Sequence, residues 1–201
     1  MAFRGLNSFM GYLESHDELI RIKEFADPVL EITEIADRMV KNGGRALLFE
    51  NTGTEFPLLI NMFASDKRMA AAISRNSIEE AGEEILELFD SLGTKKDIPG
   101  KLKDAPRVIR LLRTAPRRTR GRGACQAVVM DKPDLSKLPV LRCWPYDGGR
   151  FITLPLVHTY HPETLKRNLG MYRMQVMGPD TTGMHWHRHK TGATHFEAWK
   201  E

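Results

Sequence analysis

The sequence predicts an α+β protein, with an N-terminal α/β layer over residues 1–115 and antiparallel β structure over 116–201. Two observations point there. In the first half, apolar residues at helical spacing alternate with short runs of branched residues, the pattern of helices laid on strands. In the last third, extended runs rich in aromatic and branched residues are separated by turns containing Pro and Gly. Between the two halves lies an arginine-rich stretch in which Pro116 and Gly121-Arg122-Gly123 read as a linker or exposed loop.

Asn7 to Glu14 is predicted as a short helix with Leu6, Phe9 and Leu13 as its buried stripe. Glu18 to Ile22 alternates and reads as a strand. Asp27-Pro28 opens a helix to about Lys41, with Leu30, Ile32, Ile35, Ala36 and Met39 on one face, and Asn42-Gly43-Gly44 ends it through a left-handed cap. Ala46 to Phe49 and Leu58 to Phe63 are short apolar runs that suit buried strands. Ser77 with Glu80 matches a capping box opening a helix to about Leu92, closed by Gly93. Glu31, Glu34 and Asp37 could look like a metal face, but a solvated acidic face near a helix N-terminus accounts for them more simply.

Composition bounds the function classes. The chain has 201 residues, 41% apolar and 28% charged, the balance of an ordinary globular protein. No apolar run approaches the roughly 18–20 residues that span a bilayer, and the first residues lack the apolar core of a secretory signal. Two cysteines, Cys125 and Cys143, make no disulfide framework, so a reducing cytoplasm is the expected location, with peripheral membrane association compatible. The net charge of +4 permits an anionic ligand. Arg107, Arg110, Arg113, Arg117, Arg118, Arg120 and Arg122 could contact RNA phosphates, but no aromatics interleave to stack on bases, and no nucleic-acid partner is expected. A solvated helix face with a basic loop, or arginines turned toward a ligand phosphate, are the other readings.

The segment Cys143–Glu201 holds six of the seven histidines and all three tryptophans. Arg150 to Tyr160 reads as one strand, and His161-Pro162-Glu163-Thr164 as a turn. Asn168 to Val176 reads as a second strand, with Asn168, Gly170 and Tyr172 on one face and Met171 and Arg173 on the other. Gly183 to Lys190 reads as a third, with His185, His187 and His189 opposite Trp186, Arg188 and Lys190. Such a meander belongs to a barrel or a sandwich. The alternating histidines could suggest zinc, but no Cys or Glu is spaced to complete a site.

The runs CWPYDGGRFIT (143–153), RNLGMYRMQ (167–175) and GMHWHRHKTGA (183–193), with LEITEIADRMVKNGGRALLFEN at 30–51, resemble the UbiD family of prenylated-flavin-dependent decarboxylases. The resemblance implies a flavin-reductase-like split β-barrel, incomplete in this chain. It implies non-oxidative loss of carbon dioxide from an aromatic or α,β-unsaturated acid such as 4-hydroxy-3-polyprenylbenzoate. The implied cofactors are prenylated FMN and Mn2+, with K+ as an allowed second cation. A flavin prenyltransferase would supply the coenzyme, and the full-length form would be a homo-oligomer. A non-catalytic FMN-binding split barrel is the alternative reading.

The same resemblance assigns residues. Asn168 is a metal ligand, and its amide oxygen suits a hard cation; His189 aligns with a histidine that is a metal ligand in some relatives. Arg173 is the catalytic arginine of a Glu-Arg-Glu network, able to pair with a carboxylate bidentately. Met171, Tyr172 and Arg173, with His185, Trp186 and His187, lie along the flavin, and Lys190 and Thr191 hold its phosphate. Strict alternation separates Asn168 from Arg173, so one of them is expected beside a bulge or beyond the strand end, with Gly170 as the natural irregularity. Relatives run more than twice this length, and FEAWKE reads as the start of a helix. The metal-site carboxylate, both glutamates, the remaining barrel strands and a C-terminal domain are expected downstream, so this polypeptide alone should bind cofactor weakly and not turn over.

Overall fold

A computed structural model describes residues 3–93 and 120–200. The chain forms two compact units, one from residues 1–16 with 63–129 and the other from 17–62 with 130–201. Arg107, Arg110, Arg113, Arg117 and Arg118 lie outside the described residues; Arg120 and Arg122 are exposed.

In the first unit, α1 (Leu6–Ser15) buries Phe9 and Leu13. Leu6 departs from the expected stripe and is half exposed. It occupies the first helical turn, and Phe3 instead packs edge-on against Phe9, with ring centroids 4.9 Å apart. Phe63 stacks on the same ring at 5.8 Å. Helix α3 (Asp66–Ala72) starts at Ser65, whose hydroxyl accepts the Arg68 N–H, satisfying one of the unpaired donors of a helix start. Ser77 does the same for α4 (Ile78–Gly93), accepting from the Glu80 N–H. The Glu80 carboxylate reaches back to Asn76 rather than Ser77, so the reciprocal half of the expected box is displaced by one residue.

The second unit begins with a β-α-β crossover. Strands β1 (Leu19–Phe25) and β2 (Ala46–Asn51) pair in parallel, with α2 (Glu31–Lys41) between them, and β3 (Leu58–Ile60) adds antiparallel to β2. As the central strand, β2 buries four consecutive residues, Ala46 to Phe49, because both faces are covered. Ala26, Ile32, Leu47 and Phe49 form the core, with Ile35, Met39 and Leu141 packed around them. Helix α2 begins at Glu31, later than Asp27-Pro28 predicts. Asp27 accepts the Val29 N–H, and the backbone of residues 28–30 pairs with Arg142 instead of entering the helix. Gly43 adopts φ +63° just past the helix, as expected of a left-handed cap. The acidic residues of α2 are engaged locally: Glu34 with Arg38, Asp37 with Lys41, and Glu31 with the Asp27 N–H.

The last third contains five short strands where three long ones are predicted. Pro155 divides the first run into β4 (Phe151–Ile152) and β5 (Leu156–Tyr160), since proline cannot donate to a ladder. The second run divides at Tyr172-Arg173 into β6 (Arg167–Met171) and β7 (Met174–Val176). The third shrinks to β8 (Thr182–Met184); residues 185–190 are not strand, and helix α5 (Thr191–Lys200) follows. Strands β4, β7 and β8 form one antiparallel sheet, and β5 with β6 forms a separate hairpin. The molecule is thus a mixed α/β protein with open sheets, and among the described residues none closes into a barrel.

Candidate functional site

The hairpin β5–β6 presents two different faces. Leu156, Tyr160, Leu169 and Met171 are exposed on one. On the other, Thr159 and Asn168, cross-strand partners, meet helix α5. Asn168 Nδ2 donates to Thr159 Oγ1 and to the Tyr172 hydroxyl, both at 3.2 Å. The Tyr172 hydroxyl also accepts the Gly192 N–H at 3.0 Å, which satisfies a free donor in the first turn of α5. Thr159 Oγ1 lies 3.0 Å from Nδ1 of the buried His195. Farther along the helix, Trp199 Nε1 donates to the Tyr160 carbonyl.

Tyr172 reaches this position because the chain turns a corner after β6. Its ring lies over Gly170, where an added Cβ would meet Cε2 and Cζ at 2.5 Å, and against Gly192, where the nearest ring atoms would be 2.9 Å away. Two glycines therefore leave the slot that the ring fills. Trp186 closes a third side, edge-on to Tyr172 with centroids 5.7 Å apart, and touches Phe196 of α5 at 5.6 Å. The irregularity between Asn168 and Arg173 is this corner, not Gly170: the β5–β6 register runs unbroken through residue 170. Arg173 emerges past the corner, exposed, with its guanidinium 4.5 Å from the Phe151 ring centroid. Its carbonyl accepts the His185 N–H.

After β8 the backbone leaves the sheet. His185, His187 and His189 are exposed together, with His187 and His189 stacked at 5.6 Å, while Trp186 turns inward. Of the side predicted opposite the histidines only Trp186 turns inward; Arg188 and Lys190 are exposed like the histidines, because no ladder holds the run. The Lys190 carbonyl accepts the Thr194 N–H, placing Lys190 at the start of α5 and Thr191 in its first turn, both exposed. Backbone N–H groups and a positive dipole end favour an anion at such a position.

Asn168, Tyr172 and Trp186 thus converge on the start of α5, next to Lys190 and Thr191. Met171 points to the opposite, exposed face of the hairpin, and Arg173 lies on Phe151. Thr159, His195, Gly170 and Gly192 complete the cluster and carry no assignment from sequence. With both amide hydrogens of Asn168 committed, its Oδ1 accepts no hydrogen bond among the described residues, which fits a hard oxygen donor for a cation. Among the described residues no three His, Cys, Asp or Glu side chains are grouped to hold a metal by themselves.

Two family models match the chain: the 3-octaprenyl-4-hydroxybenzoate carboxy-lyase N-terminal domain over residues 10–89, and the Rift-related domain of the same carboxy-lyase over 117–201. The chain belongs to the UbiD family. An uncharacterized protein of Archaeoglobus fulgidus is 43% identical over 206 residues, covering 100% of this chain and 41% of the relative. One from Aquifex aeolicus is 39% identical, covering 98% of this chain and again 41% of its own length. The chain therefore spans about two-fifths of the curated relatives it matches. Vanillic acid decarboxylase of Sedimentibacter hydroxybenzoicus in its open form is 25% identical, the match covering 90% of this chain and 36% of that one, with a TM-score of 0.68. The evolved dimeric form of the UbiD-class enzyme HmfF from Pelotomaculum thermopropionicum, in complex with prFMN, gives a TM-score of 0.69 at 24% identity, covering 92% and 39%.

Proposed function

We propose that this chain supplies part of a decarboxylase site that uses prenylated FMN and Mn2+, with K+ as a second cation, to remove carbon dioxide from an aromatic or α,β-unsaturated acid such as 4-hydroxy-3-polyprenylbenzoate. One observation carries the reading: the Asn168 amide donates both hydrogens, to Thr159 and Tyr172, its Oδ1 accepts nothing among the described residues, and Tyr172 links it to the first turn of α5. The coenzyme, when bound, would supply an electron sink for the bonding pair left on the substrate carbon as carbon dioxide departs.

The chain's own residues would bind and orient. Asn168 Oδ1 and His189 would ligate the cation, whose other ligands would be phosphate, water or a carboxylate outside the described residues. Lys190 and Thr191 would hold the phosphate at the helix start. His185, Trp186 and His187 would flank the ring system, with the backbone around Met171 and Tyr172 along it while the Met171 side chain faces away. Arg173 would pair with the substrate carboxylate through its guanidinium fork, and the ring of Phe151 beneath it limits its freedom.

Domains 1–115 and 116–201 belong to the same reading, supported by the boundary that the two matches leave between residues 89 and 117. So do completion of the open sheets into a split β-barrel in a longer protein, homo-oligomerisation, a flavin prenyltransferase as supplier, and a cytoplasmic location. Among the described residues no helix is long and apolar enough to cross a membrane.

Titrating FMN into the chain with and without Mn2+, followed by quenching of flavin fluorescence, tests the proposal. Weak, Mn2+-dependent binding that Asn168→Ala abolishes is expected. Mn2+-dependent binding that survives Asn168→Ala would remove the metal assignment.

A further inference from the structure

We infer that Thr159, with His195 behind it and Tyr172 beside it, is a positioning residue that fixes which end of the Asn168 amide faces the cation. The inference rests on the coenzyme reading above and deepens it. An Asn side chain is nearly symmetric in shape, and its oxygen and nitrogen exchange places by a half-turn about the last bond. Only the oxygen ligates a cation. An amide free to turn would present its NH2 group to the cation part of the time, so a site that depends on this oxygen needs an element that opposes the turn.

The hydrogen bonds around residue 168 provide it. Asn168 Nδ2 has two hydrogens and two acceptors, Thr159 Oγ1 and the Tyr172 hydroxyl, each at 3.2 Å. The Tyr172 oxygen also receives the Gly192 N–H, so both of its lone-pair directions are taken. Thr159 accepts from Asn168 and has one proton of its own, and the group 3.0 Å from its oxygen is His195 Nδ1. We assign the imidazole proton to Nε2, so that Thr159 accepts from Asn168 and donates to Nδ1. His195 is buried, and the His161 ring stands edge-on to it at 5.7 Å, which holds the imidazole in place. Turning the amide over would put Oδ1 against the Thr159 hydroxyl, whose proton is directed at the imidazole; the Tyr172 hydroxyl can pair with either end, accepting from Nδ2 or donating to Oδ1, so the Thr159–His195 pair is what opposes the turn. Outer-shell partners of this kind orient a ligand without touching the metal.

Neither Thr159 nor His195 follows from the motifs in the sequence. They lie 36 residues apart, one on β5 and one on α5, and only the packing of the helix on the hairpin joins them.

Two readouts on the full 201-residue chain test the inference. The first is NMR of the Asn168 side-chain NH2, where nuclear Overhauser contacts to the Thr159 methyl and the Tyr172 ring are expected; their absence would overturn the inference whatever the chain binds. The second is Mn2+ uptake in the presence of FMN, read from loss of the free-ion EPR signal, in the wild type, Thr159→Val and Thr159→Ser. Removing an outer-shell partner weakens metal affinity by roughly 10- to 100-fold, so Thr159→Val should lose uptake by about that factor, and Thr159→Ser, which restores the hydroxyl, should recover it. The far-UV circular dichroism spectra of all three should coincide, which separates lost positioning from a damaged fold. Equal Mn2+ uptake by the wild type and Thr159→Val would overturn this inference and leave the coenzyme reading standing. No uptake by the wild type would overturn both.

Discussion

The Tyr172 hydroxyl accepts the backbone N–H of Gly192 at 3.0 Å, tying the corner after β6 to the first turn of α5. Both partners are buried. Replacing Tyr172 with Phe keeps the ring in its slot and removes the acceptor, leaving a buried N–H without a partner. A group stranded in this way costs about 1–3 kcal/mol. Urea unfolding of Tyr172→Phe should show a loss in that range, and faster hydrogen exchange at Gly192 should accompany it. A variant as stable as the wild type would mean that water replaces the hydroxyl.

The glycines around that ring give a second expectation. Alanine at 170 or 192 would push a methyl group into Tyr172, and overpacking of this kind costs roughly 1–3 kcal/mol. Gly11, exposed on α1 with nothing within 4 Å of an added Cβ, is the control. There alanine should stabilise by about 0.5–1 kcal/mol through helix propensity alone. The collision with Tyr172 also predicts non-additivity, because the penalty at Gly170 should shrink once Tyr172 is Ala. Additive effects in the double variant would exclude the ring as the cause.

Much of this architecture is legible in the sequence, and the rest is not for identifiable reasons. Helix α2 and strands β1 to β3 follow from apolar spacing, because one core of Ile32, Leu47 and Phe49 enforces it. The late strands come out too long because composition does not show where ladders end. Pro155 gives one break, but the corner at Tyr172-Arg173 carries no Pro or Gly of its own. The run His185 to Lys190 alternates as a strand does. In the fold only Trp186 turns inward, onto Tyr172 and Phe196, while the histidines, Arg188 and Lys190 are exposed. Asn168 is legible through the family motif, whereas the Thr159–His195 pair is not, since polar contacts between distant elements leave no periodic trace. The glycines at 170 and 192 were the available signal that a large ring is packed against two backbones.

The loop before β4 offers a pH-dependent prediction remote from the site. Asp134 accepts from the Ser136 hydroxyl and its N–H, and these bonds hold its carboxyl below the usual aspartate range, the hydroxyl contributing most. A carboxyl depressed in the folded chain contributes stability above its unfolded pKa. That contribution is lost as pH falls through the lower, folded value. Ser136→Ala should therefore raise the Asp134 midpoint toward the ordinary range and narrow this acid-side dependence. Carbon-13 titration of the carboxyl is the direct measurement, and an unmoved midpoint would mean that the backbone N–H alone sets it.

Lys190 separates phosphate recognition from recognition of the flavin ring. It stands at the start of α5, exposed, with its backbone N–H given to the His187 carbonyl and its carbonyl to Thr194, so the ammonium group is not needed to hold the turn. If that group meets the coenzyme phosphate, Lys190→Gln removes a charge-assisted hydrogen bond worth roughly 1.5–3 kcal/mol, about a 10- to 100-fold loss of FMN affinity. Riboflavin has the same ring system and no phosphate, so its binding should be indifferent to the substitution. The ratio of FMN to riboflavin affinity, measured by fluorescence quenching in both proteins, is thus the informative quantity. It should fall by that factor in Lys190→Gln, and higher salt should reduce it in the wild type by screening the same exposed charge. Equal losses for both flavins would instead place Lys190 against the ring or in the fold of the helix start, and the phosphate would need another cationic partner.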